Sequence, residues 1–277
     1  MTGFSSAWLE LREPADLRAR DSTLAKLVAA DLAVNDCVRI VDLGCGTGSN
    51  LRALAPLLNQ VQHWLLVDHD ADLLRAARLA LTAWADVATD DGALLHLRKG
   101  AKSVTVSLRH TNLATEMATL LDPRPDLITA SALFDLVSVS YIDEIAARIG
   151  RIGSAFYTVL TYDGRQSWGP AHSTDADILA AFNRHQTQDK GFGAAAGAGA
   201  VARLRQSFAR VGYMSVCAAS PWRLLAPDDG PLIAALAVGV AEAVSEMGAD
   251  PTGWLAAHRT AASTIIDHSD FYAARPG

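Results

Sequence analysis

The residues best placed to do chemistry fall into two groups. In the first, Ile40 to Asn50 reads IVDLGCGTGSN and sets Asp42, Gly44, Gly46 and Gly48 in a DxGxGxG pattern. Glycine carries no Cβ, so backbone N–H groups can approach a ligand and positive φ is accessible. A strand-end carboxylate ahead of three alternating glycines points to a ligand-binding turn rather than a merely tight one. Asp68, in LLVDHD, lies where a ribose-binding acid would follow a dinucleotide loop. That reading requires glycine at Ser49, whereas the third glycine here is Gly48, and Asp42 has no part in holding a pyrophosphate.

The second group lies between Tyr162 and Phe192: Tyr162-Asp163-Gly164-Arg165, Trp168, Asn183-Arg184-His185-Gln186 and Asp189-Lys190-Gly191-Phe192. A helix over Ala180 to Gln188 would put His185 and Asp189 on one face, where the carboxylate could orient the imidazole as a general base. The plainer alternative is a solvated i,i+4 pair. His172 reads as a loop residue with nothing nearby to fix it. Tyr162, Trp168, Phe182 and Phe192 are either core or a cation–π surface for an amine.

The elements that must position these groups alternate. Apolar spacing predicts a leading helix over Pro14 to Val34 with Asp16 and Asp21 exposed. Cys37 to Leu43 reads as a buried parallel strand, Ser49 to Leu58 as a helix, and His63 to Val67 as a strand ending at Asp68. Asp70 could cap a helix to about Asp86, which leaves Asp68 free for a ligand. Strands follow at Leu94 to Leu97 and Ser103 to Leu108, then a helix from Leu113 to Leu121. Strands at Asp126 to Ser131 and Ala155 to Tyr162 flank a helix at Asp143 to Ile149. Gly191 to Ala200, GFGAAAGAGA, reads as a mobile loop entering the helix Val201 to Arg210. Tyr213 to Ala218 and Trp222 to Leu225 read as strands, and two helices, Gly230 to Met247 and Pro251 to Ile266, close the chain. This alternation predicts a parallel sheet covered on both faces, with ligand at the carboxyl ends of its strands.

Of 277 residues half are hydrophobic and 19% charged, a balance that suits a folded chain with a full core and excludes extensive disorder. The net charge of −6 and the lack of a basic run argue against nucleic acid as partner. Cys37, Cys45 and Cys217 form no CxxC pair, so neither a disulfide framework nor a metal site is expected. No export signal or membrane-spanning stretch is read, and the expected location is the cytoplasm.

IVDLGCGTGSN resembles motif I of the class I, Rossmann-like S-adenosylmethionine-dependent methyltransferases, and LLVDHD resembles their acidic second motif. The resemblance covers about 36–225 and implies a three-layer α/β/α fold. Its sheet would have seven mostly parallel strands, ordered 3-2-1-4-5-7-6 with one antiparallel strand, plus N-terminal and C-terminal helices. One domain would span 1–277, with a substrate cover at about 163–200 and C-terminal helices at about 230–270. The resemblance implies S-adenosyl-L-methionine as cofactor, with Gly44, Cys45, Gly46 and Gly48 beside its methionyl and ribose parts. Asp42 would orient the loop or reach the methionyl amine. Asp68, an anionic acceptor-only group, would take both ribose hydroxyls, with His69 beside it.

Where relatives carry an aspartate for the adenine amine, this chain has Asn112, followed by Leu113. Asn112 is equally readable as a turn residue. Ser131, Ala132 and Leu133 would border the cofactor, and Asp135 would either contact substrate or cap a helix. SALFDLVS lacks the (D/N)PP(Y/F) sequence of nucleic-acid amino-methylating enzymes. The implied function is therefore methylation of a small molecule at oxygen or nitrogen, with His185, Asp189 and Tyr162 as the catalytic candidates. The alternatives are a cofactor-binding protein without transferase activity and, disfavoured by spacing, a nicotinamide-dependent oxidoreductase.

Overall fold

A computed structural model describes residues 4–276. Two helices come first, α1 (Ser6–Ala19) and α2 (Ser22–Leu32). There follow β1 (Cys37–Leu43), α3 (Ser49–Leu54), β2 (Val61–Asp68), α4 (Ala71–Trp84), β3 (Val87–Asp90), β4 (Leu94–Lys99), β5 (Lys102–His110), α5 (Leu113–Glu116), β6 (Leu127–Ser131) and α6 (Val139–Ile152). The rest of the chain forms β7 (Ala155–Gly169), α7 (Asp175–Gln186), α8 (Ala200–Arg210), β8 (Met214–Ala219), β9 (Trp222–Leu225), α9 (Gly230–Glu246), α10 (Thr252–His258) and β10 (Ser263–Ala274). No helix among the described residues is long and apolar enough to cross a membrane.

The strands form one sheet in the order β3-β4-β5-β2-β1-β6-β7-β10-β8, with β9 also paired to β10. β5, β2, β1, β6 and β7 are parallel, while β10 runs antiparallel to β7, β8 and β9. Leaving aside the β3–β4 hairpin and β9, this is the expected 3-2-1-4-5-7-6 order with its antiparallel strand. Adjacent residues of β1 point to opposite faces, so Ile40 enters the core cluster that includes Leu51, Trp64 and Leu232, while Val41 and Leu43 enter the one with Ile142, Ile145 and Phe208. In α6, Ile142, Ile145 and Ile149 recur at helical spacing and are buried. Each such side chain contributes about 1.5–3 kcal/mol when withdrawn from water.

Several sequence expectations are corrected. The leading helix is two helices: Pro14 lies inside α1, and the break falls at Asp21, whose Oδ1 accepts the Leu24 N–H at 2.6 Å and starts α2. Asp16, expected exposed, is buried because Arg12 and Trp222 satisfy its carboxylate. Pro251 to Ile266 is not one helix, since α10 ends at His258 and β10 begins at Ser263. The C-terminal region 230–270 therefore includes a central strand, and the sheet extends well past 225. β10 hid in the sequence because His268, Ser269 and Asp270 interrupt its apolar run, and Asp270 is buried with its carboxylate held by the N–H groups of Asp21 and Leu160. β7 continues through Gly169 rather than ending at Tyr162, paired with β10. The glycine–alanine tract, expected to be mobile, is docked: Ala196 N–H donates to the Val137 carbonyl at 2.8 Å and Gly197 N–H to the Asp135 carbonyl at 2.9 Å.

Candidate functional site

The glycine loop leaves β1 at its carboxyl end. Gly44, Gly46 and Gly48 have φ of +65°, +53° and +77°, the left-handed region that side chains disfavour. Two bonds hold the loop to β2: Cys45 N–H donates to the Val67 carbonyl at 2.9 Å, and Gly46 N–H to Asp68 Oδ2 at 2.8 Å. The other Asp68 oxygen accepts Asp70 N–H at 3.0 Å, and exposed His69 stands 3.3 Å away. Each carboxylate oxygen has two lone pairs, so Asp68 keeps acceptor capacity on both. Asp70 caps α4 through the N–H groups of Asp72 and Leu73, as its position in the sequence suggested.

Asp42 is fully buried. Its Oδ1 accepts from Asn50 Nδ2 at 2.7 Å and its Oδ2 has no partner. Burial pushes its pKa up to about 7, against the lowering effects of the Asn50 hydrogen bond and Arg20, with Asp68 adding to the rise. Asn50 also donates to Thr129 Oγ1 at 3.1 Å and accepts from Arg20 Nη1 at 2.8 Å. Arg20 reaches Ser131 Oγ at 3.4 Å and leaves its own Nε without a partner. A polar chain thus links the end of α1, the glycine loop and the end of β6. Asn50 could have been picked from the motif itself, whereas Arg20 carried no sequence signal.

Helix α1 lies across the loop. A Cβ built on Gly46 would stand 2.9 Å from Leu9 Cδ1. Arg52 pairs with Glu13 of α1 and donates to the Thr47 carbonyl at 2.7 Å. On the other side Leu133 packs against Gly44, and Ala132 before it has φ of +52°. Asn112 Oδ1 accepts Ala114 N–H at 2.9 Å and caps α5, the turn role weighed from sequence, and Leu113 is buried behind it.

The expected catalytic group divides. His185 and Asp189 do not pair, because α7 ends at Gln186 and Asp189 folds back to accept the N–H groups of Gly191 and Gly193 at 2.7 and 3.0 Å. His185 faces Glu246 of α9 at 3.0 Å instead. His172 is held by Thr174, whose Oγ1 lies 2.9 Å from its Nδ1. Tyr162 is buried and donates its hydroxyl to Asn183 Oδ1 at 3.0 Å, with burial raising its pKa far above the usual phenol range.

What gathers round Tyr162 was largely invisible in the sequence. His268, across the sheet on β10, packs edge-on to it at 6.2 Å and lies 5.1 Å from Trp222. Burial, helped by Arg12, lowers the pKa of His268 to about 3, so the ring is neutral, and its Nδ1 has no partner. Arg12 stacks 4.8 Å over Trp222 and binds Asp16 through two bonds of 2.9 and 3.0 Å. Asp135 is buried with Oδ1 unpartnered, and burial raises its pKa to about 6 against the pull of its own backbone N–H, Arg12 and the Tyr162 N–H. Buried polar atoms without partners are costly unless a ligand completes them. Those of Arg20, Asp42, Asp135 and His268 all lie along the carboxyl ends of β1, β6 and β7 and the elements covering them.

No family model and no curated protein matches the chain. Among solved structures it is similar to a candidate methyltransferase from Bacillus halodurans, at 15% identity over 93% of this chain and 100% of that one, with a TM-score of 0.54. It is also similar to a cyclopropane-fatty-acyl-phospholipid synthase-like protein from Lactobacillus casei, at 13% identity over 98% and 94% of the two chains, TM-score 0.56. A third is the YcgJ protein of Bacillus subtilis, at 14% identity over 93% and 100%, TM-score 0.51. At these identities the likeness is one of fold, and that fold is the class I, Rossmann-like methyltransferase fold.

Proposed function

We propose that this chain is an S-adenosylmethionine-dependent methyltransferase acting on a small molecule at nitrogen or oxygen. The observation that carries the reading is the joint built by Asp68. One of its oxygens fixes the glycine loop through Gly46 N–H, and both keep lone pairs at the carboxyl end of the sheet. Two ribose hydroxyls suit that spare capacity. The unpartnered Asp42 Oδ2 suits the methionyl ammonium, which would also hold Asp42 in its ionised form. The positive φ of Gly44 and Gly48 would turn the loop's backbone toward the ligand, with Leu133 and Ser131 bordering it.

S-adenosylmethionine supplies a methyl group on a sulfonium, which passes to a nucleophile as the C–S pair stays on sulfur. The protein has to position the acceptor and exclude water. Helix α1 and the docked glycine–alanine tract serve exclusion.

A second reading, a protein that holds the cofactor without transferring its methyl group, draws support from those same covers. Leu9 rests on Gly46, and the tract roofs the turn at Asp135. One pair of measurements separates the readings. Calorimetry with S-adenosylhomocysteine should show binding that Asp68→Ala weakens by at least about tenfold, a loss of about 1.4 kcal/mol. Unchanged affinity in that variant would remove the ribose assignment. Incubation with isotopically methyl-labelled cofactor and a metabolite extract should place label in a small product. Binding without any label transfer would favour the second reading.

A further inference from the structure

Of the carboxylates Asp16, Asp163, Asp267 and Asp135, the first three each have a guanidinium within 3.3 Å. Asp16 is taken by Arg12 through two bonds. Asp163 lies 2.8 Å and Asp267 3.3 Å from the guanidinium of Arg165. Asp135 is buried, has an oxygen without any donor, and Arg12, the cation that acts on it, is already committed to Asp16 and Trp222. A carboxylate left so is destabilising unless a ligand brings it an N–H or a positive charge.

Its position suits an acceptor. Leu133, two residues earlier, packs on Gly44, and Arg12 stands one helical turn along α1 from Leu9, which rests on Gly46. Side chains three residues apart on a helix are about 5–6 Å apart at Cβ. Asp135 therefore lies near the glycine loop. Tyr162 beside it belongs to an aromatic cluster, with Phe182 edge-on at 5.8 Å, neutral His268, and Trp222 under the Arg12 guanidinium. The backbone of Asp135 is roofed by Gly197, in a tract of small residues.

We propose that Asp135 is the acceptor-binding carboxylate and that the acceptor is a small amine, taken up as its ammonium form between Asp135 and the aromatic side chain of Tyr162. This rests on the methyltransferase reading and narrows it from nitrogen or oxygen to nitrogen. Asp135 then accepts a proton from the ammonium: the N–H bond breaks, an O–H bond forms on the carboxylate, and the electron pair stays on nitrogen as the nucleophile. The Tyr162 ring favours the cation on arrival. The buried, otherwise unpartnered oxygen gives the proton a place to go.

The test uses the full chain saturated with S-adenosylhomocysteine and two probes of one shape, benzylamine and benzyl alcohol, titrated by calorimetry. Benzylamine should bind at least about tenfold more tightly, and Asp135→Asn should abolish that preference while S-adenosylhomocysteine affinity stays within about twofold. Equal affinities in the unmodified protein, which needs no variant to fold, would overturn the proposal, as would a preference that survives in Asp135→Asn. In the labelled-cofactor experiment the label should enter an amine, with at least about a 100-fold loss in Asp135→Asn. Label in an alcohol, thiol or carboxylate would overturn the amine assignment and leave the transferase reading standing. An amine preference without label transfer to any metabolite would overturn the transferase reading and leave the amine site standing.

Discussion

Replacing Asp42 by asparagine should change how the protein's stability depends on pH. Asp42 is fully buried, with one oxygen held by Asn50 and the other bare, and burial lifts its pKa from 3.8 to about 7. The unfolded chain gives up this proton near the ordinary value and the folded chain only near the raised one. Between the two, the folded state binds a proton that the unfolded state does not, so stability falls as pH rises through that window. Each unit corresponds to about 1.4 kcal/mol, which makes the whole loss about 4 kcal/mol, and about 3 kcal/mol of it falls between about pH 5 and about pH 8. Asparagine keeps the carbonyl that Asn50 needs and cannot ionise. Urea unfolding of both proteins across that range should therefore show the unmodified chain losing about 3 kcal/mol more than Asp42→Asn. Asp135 and His268 titrate in both proteins and cancel in the comparison. Parallel profiles, differing by a constant, would refute the view that Asp42 is a carboxylate kept on its acid by burial.

Gly46→Ala should cost about 1–2 kcal/mol from the left-handed backbone alone, and more as its Cβ meets Leu9. Urea unfolding measures the first part, and a second change, Leu9→Ala, should recover the rest. Unaltered stability in Gly46→Ala would show that the loop is not held as described. His185→Ala should shift stability by less than about 1 kcal/mol, because its partner Glu246 is mostly exposed, and should leave label transfer and S-adenosylhomocysteine affinity unchanged. Lost transfer with intact affinity would return His185 to the catalytic set.

The parts of the fold that were readable in the sequence are those governed by local pattern. The strands β1, β2, β6 and β8, the first stretch of β7 and the helices α4 and α8 were placed close to their observed bounds, because apolar runs and strict periodicity report directly on burial. β10 was missed for the opposite reason. Its buried polar residues, His268 and Asp270, have partners and neighbours far away in the chain, and a window of sequence cannot see them. Asp270, for example, holds the backbone N–H groups of Asp21 and Leu160, each at 2.9 Å. The β3–β4 hairpin was half seen, since Val87–Asp90 is a short edge strand with little burial to mark it.

By itself the sequence determined the glycine loop, its two acids and the sheet that presents them. Those features depend on residue type at fixed short spacing, and the loop's positive φ angles needed glycine wherever the chain later went. Only the tertiary structure decided what surrounds them. The placement of α1 over the loop, the pairing of His185 with Glu246 instead of Asp189, and the meeting of Arg12, Asp135, Tyr162, Trp222 and His268 all join segments far apart in the chain. Such contacts follow from how layers pack and which buried polar atoms find partners, and that is settled by the whole chain at once.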